Sequence, residues 1–304
     1  MTDTVTNLWI ALPAALGSAI CFGTTGALQH VAARRVAARP ALRPSLLVDL
    51  AQQPIWLLSL LGQIGGSGLQ LLALSSGPLV LVQPLLVSGL VFAVVIRSMM
   101  ARQAPAGSVV LGASMAAGGL AAFLLLARPT GGVEWLSFGQ ALPLAVGLAV
   151  LLAILLTIAG RYHGDARTFA LAGGAGVLYG VTAGVAKLAL GLVQTYGIAG
   201  LLGSWPLYAV LVIGPAGFIL NQNAYQSNRA MAPALAVITV TDPLVGIGVG
   251  VLWLDERLQP GVGPVIGQVL ALITLAAGVW LLAHGAPQVA QDEKAPARPQ
   301  DVTG

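Results

Sequence analysis

Apolar residues run along this chain in long blocks, separated by short polar gaps. Nine blocks can be drawn, at 8–32, 53–74, 78–99, 107–127, 138–160, 168–190, 205–226, 232–253 and 263–284. Each is close to the roughly 20 residues that a helix needs to cross the hydrocarbon core of a bilayer. Lipid cannot satisfy bare backbone groups, so only helices and closed barrels span it. A barrel would show segments of about 10 residues with alternating polarity, and none is visible. The pattern predicts an all-α polytopic membrane protein, a single integral membrane domain over 1–304, with nine transmembrane helices. A short tenth helix has room in 40–52 or in 191–204. The final stretch, 285–304 (GAPQVAQDEKAPARPQDVTG), is polar and proline-rich, a composition that predicts a disordered tail.

Composition agrees with this pattern. Hydrophobic residues make up 57% of the chain and charged ones 8%, with a mean hydropathy of +0.88. A soluble domain carries about 25% charged residues. The sequence pI of about 9.6 would suggest a nucleic-acid partner, but the basic residues sit in the gaps between blocks, where they act as topology signals. The expected partner is the lipid bilayer, with no nucleic acid. One set of alternate gaps holds Arg34, Arg35, Arg39, Arg43, Arg97, Arg102, Arg161, Arg167 and Arg229, with Lys294 and Arg298 in the tail; the other set holds Arg128 and Arg257. By the positive-inside rule the N-terminus lies outside and the C-terminus in the cytoplasm of a multi-pass cell-membrane protein. The leader MTDTVTN has no Lys or Arg, which argues against a cleaved signal peptide. The single cysteine, Cys21, cannot form an intrachain disulfide.

The chain also matches itself. Gly17–Val31 (GSAICFGTTGALQHV) aligns with Gly174–Leu188 (GAGVLYGVTAGVAKL): Gly17 meets Gly174, Phe22 meets Tyr179, Gly23 meets Gly180 and Thr25 meets Thr182. Both copies place small residues four apart, Ala19, Gly23 and Ala27 in one and Gly176, Gly180 and Gly184 in the other. That spacing puts them on one helix face, where a second backbone can approach closely. Pro78 pairs with Pro233, and Gln83-Pro84-Leu85 resembles Asp242-Pro243-Leu244 after a shift of about one helical turn. Repeat one then covers 8–127, a connecting helix covers 138–160, and repeat two covers 168–284. Because one helix is unpaired, the second copy enters the bilayer in the opposite sense. Inverted repeats are a transporter architecture, with the substrate site near midplane at the repeat interface.

Asp242 is the sharpest candidate for chemistry. It lies about ten residues into its block, roughly 15 Å deep at 1.5 Å per residue. A carboxylate at that depth is costly and usually faces a bundle interior or a water cavity. Pro243 loosens the local helix, and Thr239 and Thr241 lie beside it. One reading is a proton or cation site, with Asp242 the metal ligand if a metal is bound. The other is a protonated Asp hydrogen-bonded to a neighbouring helix. Lys187 either snorkels to the interface or serves as a charge partner or anion anchor. Its mirror, His30, reads as interfacial. Asn221, Gln222, Asn223 and Gln226 cluster near one end of their block, where they line a vestibule or join helices. Gln63 and Gln70, seven apart, share a face that is a candidate pore lining. Tyr179 and Phe22 occupy equivalent positions, suited to packing or to stacking on a ligand.

At these residues the chain resembles the drug/metabolite transporter superfamily, which includes the EamA-like proteins. Each half is similar to the four-helix small multidrug resistance unit. The resemblance rests on Gly23-Thr24-Thr25 with His30, on Gly180-Val181-Thr182 with Lys187, and on Arg257-Leu258-Gln259-Pro260-Gly261 between the last two blocks. The nine-block layout looks closer to the NIPA-like magnesium-transporter branch, matched by Lys187, Leu220-Asn221 and Ala224. The resemblance implies alternating access by two inverted repeats. The membrane carboxylate of the small multidrug pumps is replaced here by Ile20 and Val177, so their proton coupling does not carry over.

The chain has no P-loop, G-x-S-x-G, H-E-x-x-H or cysteine cluster, so no enzyme chemistry and no cofactor are expected. With no ATP-binding domain in sight, transport would draw on a gradient. The expected function is a secondary transporter of a small solute: a metabolite, a drug-like compound or Mg²⁺. A lipid-carrier flippase and a non-transporting membrane scaffold are the alternatives. A homodimer is compatible with either.

Overall fold

A computed structural model describes residues 7–33, 50–101, 107–132, 136–227 and 231–285. Each of the nine apolar blocks is helical. The helices are α1 (Leu8–Ala33), α2 (Pro54–Ser76), α3 (Leu79–Ala101), α4 (Gly107–Ala127), α5 (Phe138–Arg161), α6 (Asp165–Leu202), α7 (Trp205–Ser227), α8 (Met231–Leu252) and α9 (Val262–Gly285). Two short strands, β1 (Thr130–Gly131) and β2 (Glu256–Arg257), pair antiparallel. Seven helices are long and apolar enough to cross a membrane. The apolar runs of α3 and α8 are shorter among the described residues, at Leu79–Gly89 and Ala236–Leu252. The predicted tail, the arginine-rich gap after α1 and most of the 40–52 segment lie outside the described residues.

The helices begin where local chemistry lets them. Pro54 occupies the first turn of α2, where its missing N–H is no loss. Ser137 and Gln140 form a reciprocal capping box at the start of α5, which satisfies two otherwise orphaned N–H groups. The 191–204 segment does not build a separate span. Residues 191–196 continue α6, Gly197 breaks it with φ of 69°, and only a short helical stretch follows to Leu202. That stretch is far too short to cross a bilayer.

The distribution of polarity is the reverse of a soluble protein. Leu57, Leu58, Leu61 and Ile64 of α2, Val146, Val150 and Ile154 of α5, and Val269, Leu270 and Ile273 of α9 are exposed. The buried set includes Ser18, Gln29, Gln83, Asn221, Gln222, Asn223 and Glu256. An apolar shell of this extent is unstable in water but is the natural exterior in lipid. This is an all-α polytopic membrane protein.

Packing follows the small residues. α1 packs on α2 and α3, α6 packs on α7 and α8, α3 meets α8, and α4 meets α9 along much of their length. A Cβ at Gly119 would stand 2.5 Å from Leu275 N and 2.7 Å from Ala271 O, so α4 and α9 touch backbone to backbone. Gly176 and Gly180 of α6 likewise meet the α8 backbone at Asp242 and Gly246, and Gly184 of the same face meets the Val249 side chain, as that spacing predicts. Several segments gather at one end of the bundle. Asn7 N donates to Ser76 O at 2.9 Å, Gln259 N to Ala127 O at 2.8 Å, and Trp205 Nε1 to Leu136 O at 3.2 Å.

Candidate functional site

The sequence places Pro78 just before α3, so the first free N–H groups of that helix belong to Leu79 and Val80. Both are claimed from a distance. Leu79 N–H donates to Glu256 Oε1 at 2.7 Å, and Val80 N–H donates to Glu256 Oε2 at 2.8 Å. Glu256 is 2% exposed. A carboxylate at a helix N-terminus satisfies orphan donors and meets the positive end of the dipole. Lys187 of α6 donates to the same Oε1 at 2.8 Å and to Gly77 O at 2.9 Å. One buried ion pair therefore ties α6, the α2–α3 turn and the α8–α9 connection together. Lys187 has a charge partner: its side chain is 17% exposed and turned to Glu256.

Further along α6, Gly176 and Gly180 bring its backbone against α8 at Asp242. A Cβ at Gly180 would sit 2.6 Å from Asp242 O and 2.8 Å from Gly246 N. Asp242 lies in the middle of α8, roughly 16 Å from its start at 1.5 Å per residue. Its Oδ1 is enclosed, with no hydrogen-bond partner in the protein. On the other side of Gly246 stands Gln83 of α3, with no exposed surface. Its Nε2 is 3.0 Å from where a Gly246 Cβ would be, and both its amide atoms are unpartnered.

Toward the opposite end, the Asn221 amide of α7 donates to the Tyr179 hydroxyl of α6 at 3.1 Å. Tyr225, one turn on along α7, stands beside the Asn221 side chain, and Tyr179 lies within electrostatic reach of Asp242 and Tyr225. Gln222 turns to α1, where its Nε2 donates to Gln29 Oε1 at 2.9 Å. The second atom of each of these amides, Asn221 Oδ1, Gln222 Oε1 and Gln29 Nε2, is buried without a partner. In order along the bundle these groups run Gln29 and Gln222, then Asn221, Tyr225 and Tyr179, then Asp242, then Gln83, then Lys187 with Glu256. They make a polar file through the interior of the bundle. Each unpartnered buried group costs about 1–3 kcal/mol.

Not every predicted residue joins this file. Thr239 faces a small apolar crevice shared with Val87, Val240, Pro243, Leu244, Leu272, Leu275 and Ala276, on the α3–α9 side of α8. Asp242 does not line that crevice. Thr241 packs its Cβ against the Gly176 backbone, 2.7 Å from where a Cβ would stand. Gln63 and Gln70 are half-buried. They lie on the same α2 face as Trp56, Ser59, Gly66 and Ala73. The His30 and Gln226 side chains lie outside the described residues.

Four members of the file stood out little or not at all in the sequence. Glu256 reads as a loop charge beyond a block, and nothing local announces that it folds back onto α3. Gln29 and Tyr225 were overshadowed by His30 and Gln226, their neighbours. Gln83 carried a signal, the Gln-Pro-Leu that resembles Asp-Pro-Leu, but as a repeat and not as a site. No family model and no solved structure matches the chain. It is 26% identical over 251 residues to an uncharacterized protein of Corynebacterium glutamicum, across 82% of this chain and 86% of that protein.

Proposed function

We propose that this protein is a secondary transporter of a small solute, working by alternating access in the manner of the drug/metabolite transporter superfamily. The observation that carries the reading is the polar file. Gln29, Gln83, Asn221, Gln222 and Asp242 each hold an unpartnered buried polar atom inside a lipid-facing helix bundle. Such groups are costly in a membrane and mark substrate pathways. At one end the Lys187–Glu256 pair closes the file.

Two inverted four-helix units, α1–α4 and α6–α9, with α5 between them, fit the packing. α1 rests on α2 and α3 as α6 rests on α7 and α8, while α3–α8 and α4–α9 pair across the units. The α1 chain starts beside the α2–α3 turn through Asn7 and Ser76, whereas α6 arrives at that turn through Lys187. The two helices therefore run in opposite senses, which is what nine spans require and what inversion of the second unit means. The arginine distribution supports an orientation with the N-terminus and the Glu256 end outside the cell membrane and the C-terminus in the cytoplasm.

The test has two parts. A broad metabolite and metal-ion flux screen in proteoliposomes is expected to reveal movement of at least one small solute. Asp242→Asn is expected to reduce that flux and to alter its dependence on pH, because the carboxylate would hold the substrate or a coupling proton. Unchanged transport across pH in Asp242→Asn would remove Asp242 from the mechanism. A membrane scaffold is the second reading, and one observation favours it: Gln29, Gln83 and Gln222 are 2% exposed or less, so the interior is tightly packed. It predicts no flux for any solute in the screen. A phosphate-carrying flippase gains less support, since Lys187 is bonded to Glu256 and not free for an anion.

A further inference from the structure

The chain just after α4 and the chain just before α9 fold into one piece. β1 pairs with β2, with Thr130 opposite Arg257 and Gly131 opposite Glu256. Gln259 N donates to Ala127 O at 2.8 Å, and Gln268 Nε2 donates to Leu126 O at 3.1 Å. Below them α4 and α9 meet backbone to backbone at Gly112, Gly119 and Gly278. This brace of α4, α9 and the strand pair carries Glu256 across the end of the bundle. It sets the carboxylate against Leu79 and Val80 of α3 and Lys187 of α6. Gly250 of α8 makes room for it, since a Cβ there would stand 2.8 Å from Glu256 Oε2. Glu256 is thus a pin between the brace and the helices α3 and α6. The repeat makes this pin one-sided. Aligning Lys187 with His30 and Arg257 with Arg102 sets Glu256 against Ala101, so the corresponding position at the other end carries no carboxylate. The contact toward that end is neutral, Gln222 Nε2 to Gln29 Oε1 at 2.9 Å.

Resting on the transporter reading above and deepening it, we infer that Glu256 is the latch of a gate. The brace parts from α3 and α6 to open the Lys187 end of the polar file, and the ion pair breaks each time it does. The chemistry of the latch suits a seam that must open into water. A buried ion pair loses hydration on closing and regains it on opening, so its net hold is small against the attraction between its charges. An apolar plug is driven together by water and resists being wetted. The Lys187 side chain is 17% exposed while that of Glu256 is fully enclosed, so water reaches the cation first. When the seam parts, the N–H groups of Leu79 and Val80, the ammonium, the carboxylate and Gly77 O, the second acceptor of Lys187, all pass to water together. None of them is left bare in an apolar setting, which is what would make the break costly.

Two buried positions of α6 separate a gate from general loosening. Ala183, 3% exposed, lies one turn before Lys187 on the same helix face, beneath the latch. Ala170, 4% exposed, lies toward the other end of the helix. With Cys21→Ala as background, the full-length protein in detergent carries Ala183→Cys or Ala170→Cys, and its modification by a water-soluble methanethiosulfonate is timed. Adding Glu256→Gln is expected to speed the Ala183→Cys reaction about 10-fold, because the rate follows the open fraction of the population. The Ala170→Cys reaction is expected to keep its rate. Lys187→Met, which leaves the carboxylate on the α3 N–H groups, is expected to act in the same direction and serves if Glu256→Gln does not fold. Equal acceleration at both positions means general loosening and overturns the gate. So does an unchanged rate at Ala183→Cys. Either result beside solute flux in the screen leaves the transporter reading intact. Acceleration at Ala183→Cys with no flux of any solute removes the transporter, and the gating role with it.

Discussion

Glu256 does at the scale of one residue what would otherwise need three. Its carboxylate accepts from Leu79 N, Val80 N and Lys187 Nζ at 2.7–2.8 Å. The two sides of the ion pair are not equivalent. Without Lys187 the carboxylate keeps two N–H donors at a helix N-terminus. Without the carboxylate Lys187 keeps only Gly77 O and becomes a buried, uncompensated charge. Breaking a buried pair from that side costs about 3–5 kcal/mol. Glu256→Gln is therefore expected to lower the Tm in detergent more than Lys187→Met does, and the double variant is expected to recover part of the loss. A Lys187→Met protein as unstable as Glu256→Gln would refute this account of the pair. The episode also marks what was legible in the sequence. Lys187 and Asp242 declared themselves, because an ionisable residue inside an apolar block is conspicuous. Glu256 did not, because its partners lie 69 and about 177 residues away and hydropathy carries no information about pairing at that distance.

Among the elements, the contact of α6 with α8 depends on side chains that are missing. A Cβ at Gly180 would meet the Asp242 carbonyl at 2.6 Å and Val245 Cβ at 2.8 Å. Both are backbone or β-branched atoms that cannot swing aside, so Gly180→Ala must push the helices apart. Overpacking of this kind costs about 1–3 kcal/mol. Gly68 of α2 has nothing within 4 Å of its Cβ position, so Gly68→Ala is expected to be neutral to within about 0.5 kcal/mol. Thermal unfolding of the two variants side by side checks the contrast. If Gly180→Ala were as stable as Gly68→Ala, the close approach that holds Asp242 in the file would be in error. The Gly176, Gly180 and Gly184 spacing made this contact readable in advance. The extent of α6 was not readable, because the apolar block drawn from hydropathy ends at 190 while the helix, whose hydrogen bonds are local, continues to the break at Gly197.

For the whole molecule, sidedness follows from a chain of contacts at one end. The start of α1 bonds the end of α2, Lys187 reaches the α2–α3 turn, Ala127 at the end of α4 accepts from Gln259 before α9, and Trp205 at the start of α7 reaches Leu136 before α5. Tyr162, His163 and Gly164 form the α5–α6 connection, one helix length away from the Leu136 end of α5. If every helix crosses, the first group of segments shares one face of the membrane and the α5–α6 connection occupies the other. Lys and Arg favour the cytoplasm. Arg161 and Arg167 flank the α5–α6 connection, and Arg128 and Arg257 lie at the opposite end, so the positive-inside rule predicts that the opposite end faces outward. With Cys21→Ala as background, single cysteines at Ser76, Ser204 and Asp255 are expected to react in intact cells with a membrane-impermeant maleimide. A cysteine at His163 is expected to react only after permeabilisation. Labelling of all four from outside would mean that α5 does not cross. Labelling of His163 alone from outside would invert the protein and move the Lys187–Glu256 closure to the cytoplasmic face. A split among Ser76, Ser204 and Asp255 would break the parity on which two oppositely inserted units depend, and with it the carrier mechanism proposed for the polar file.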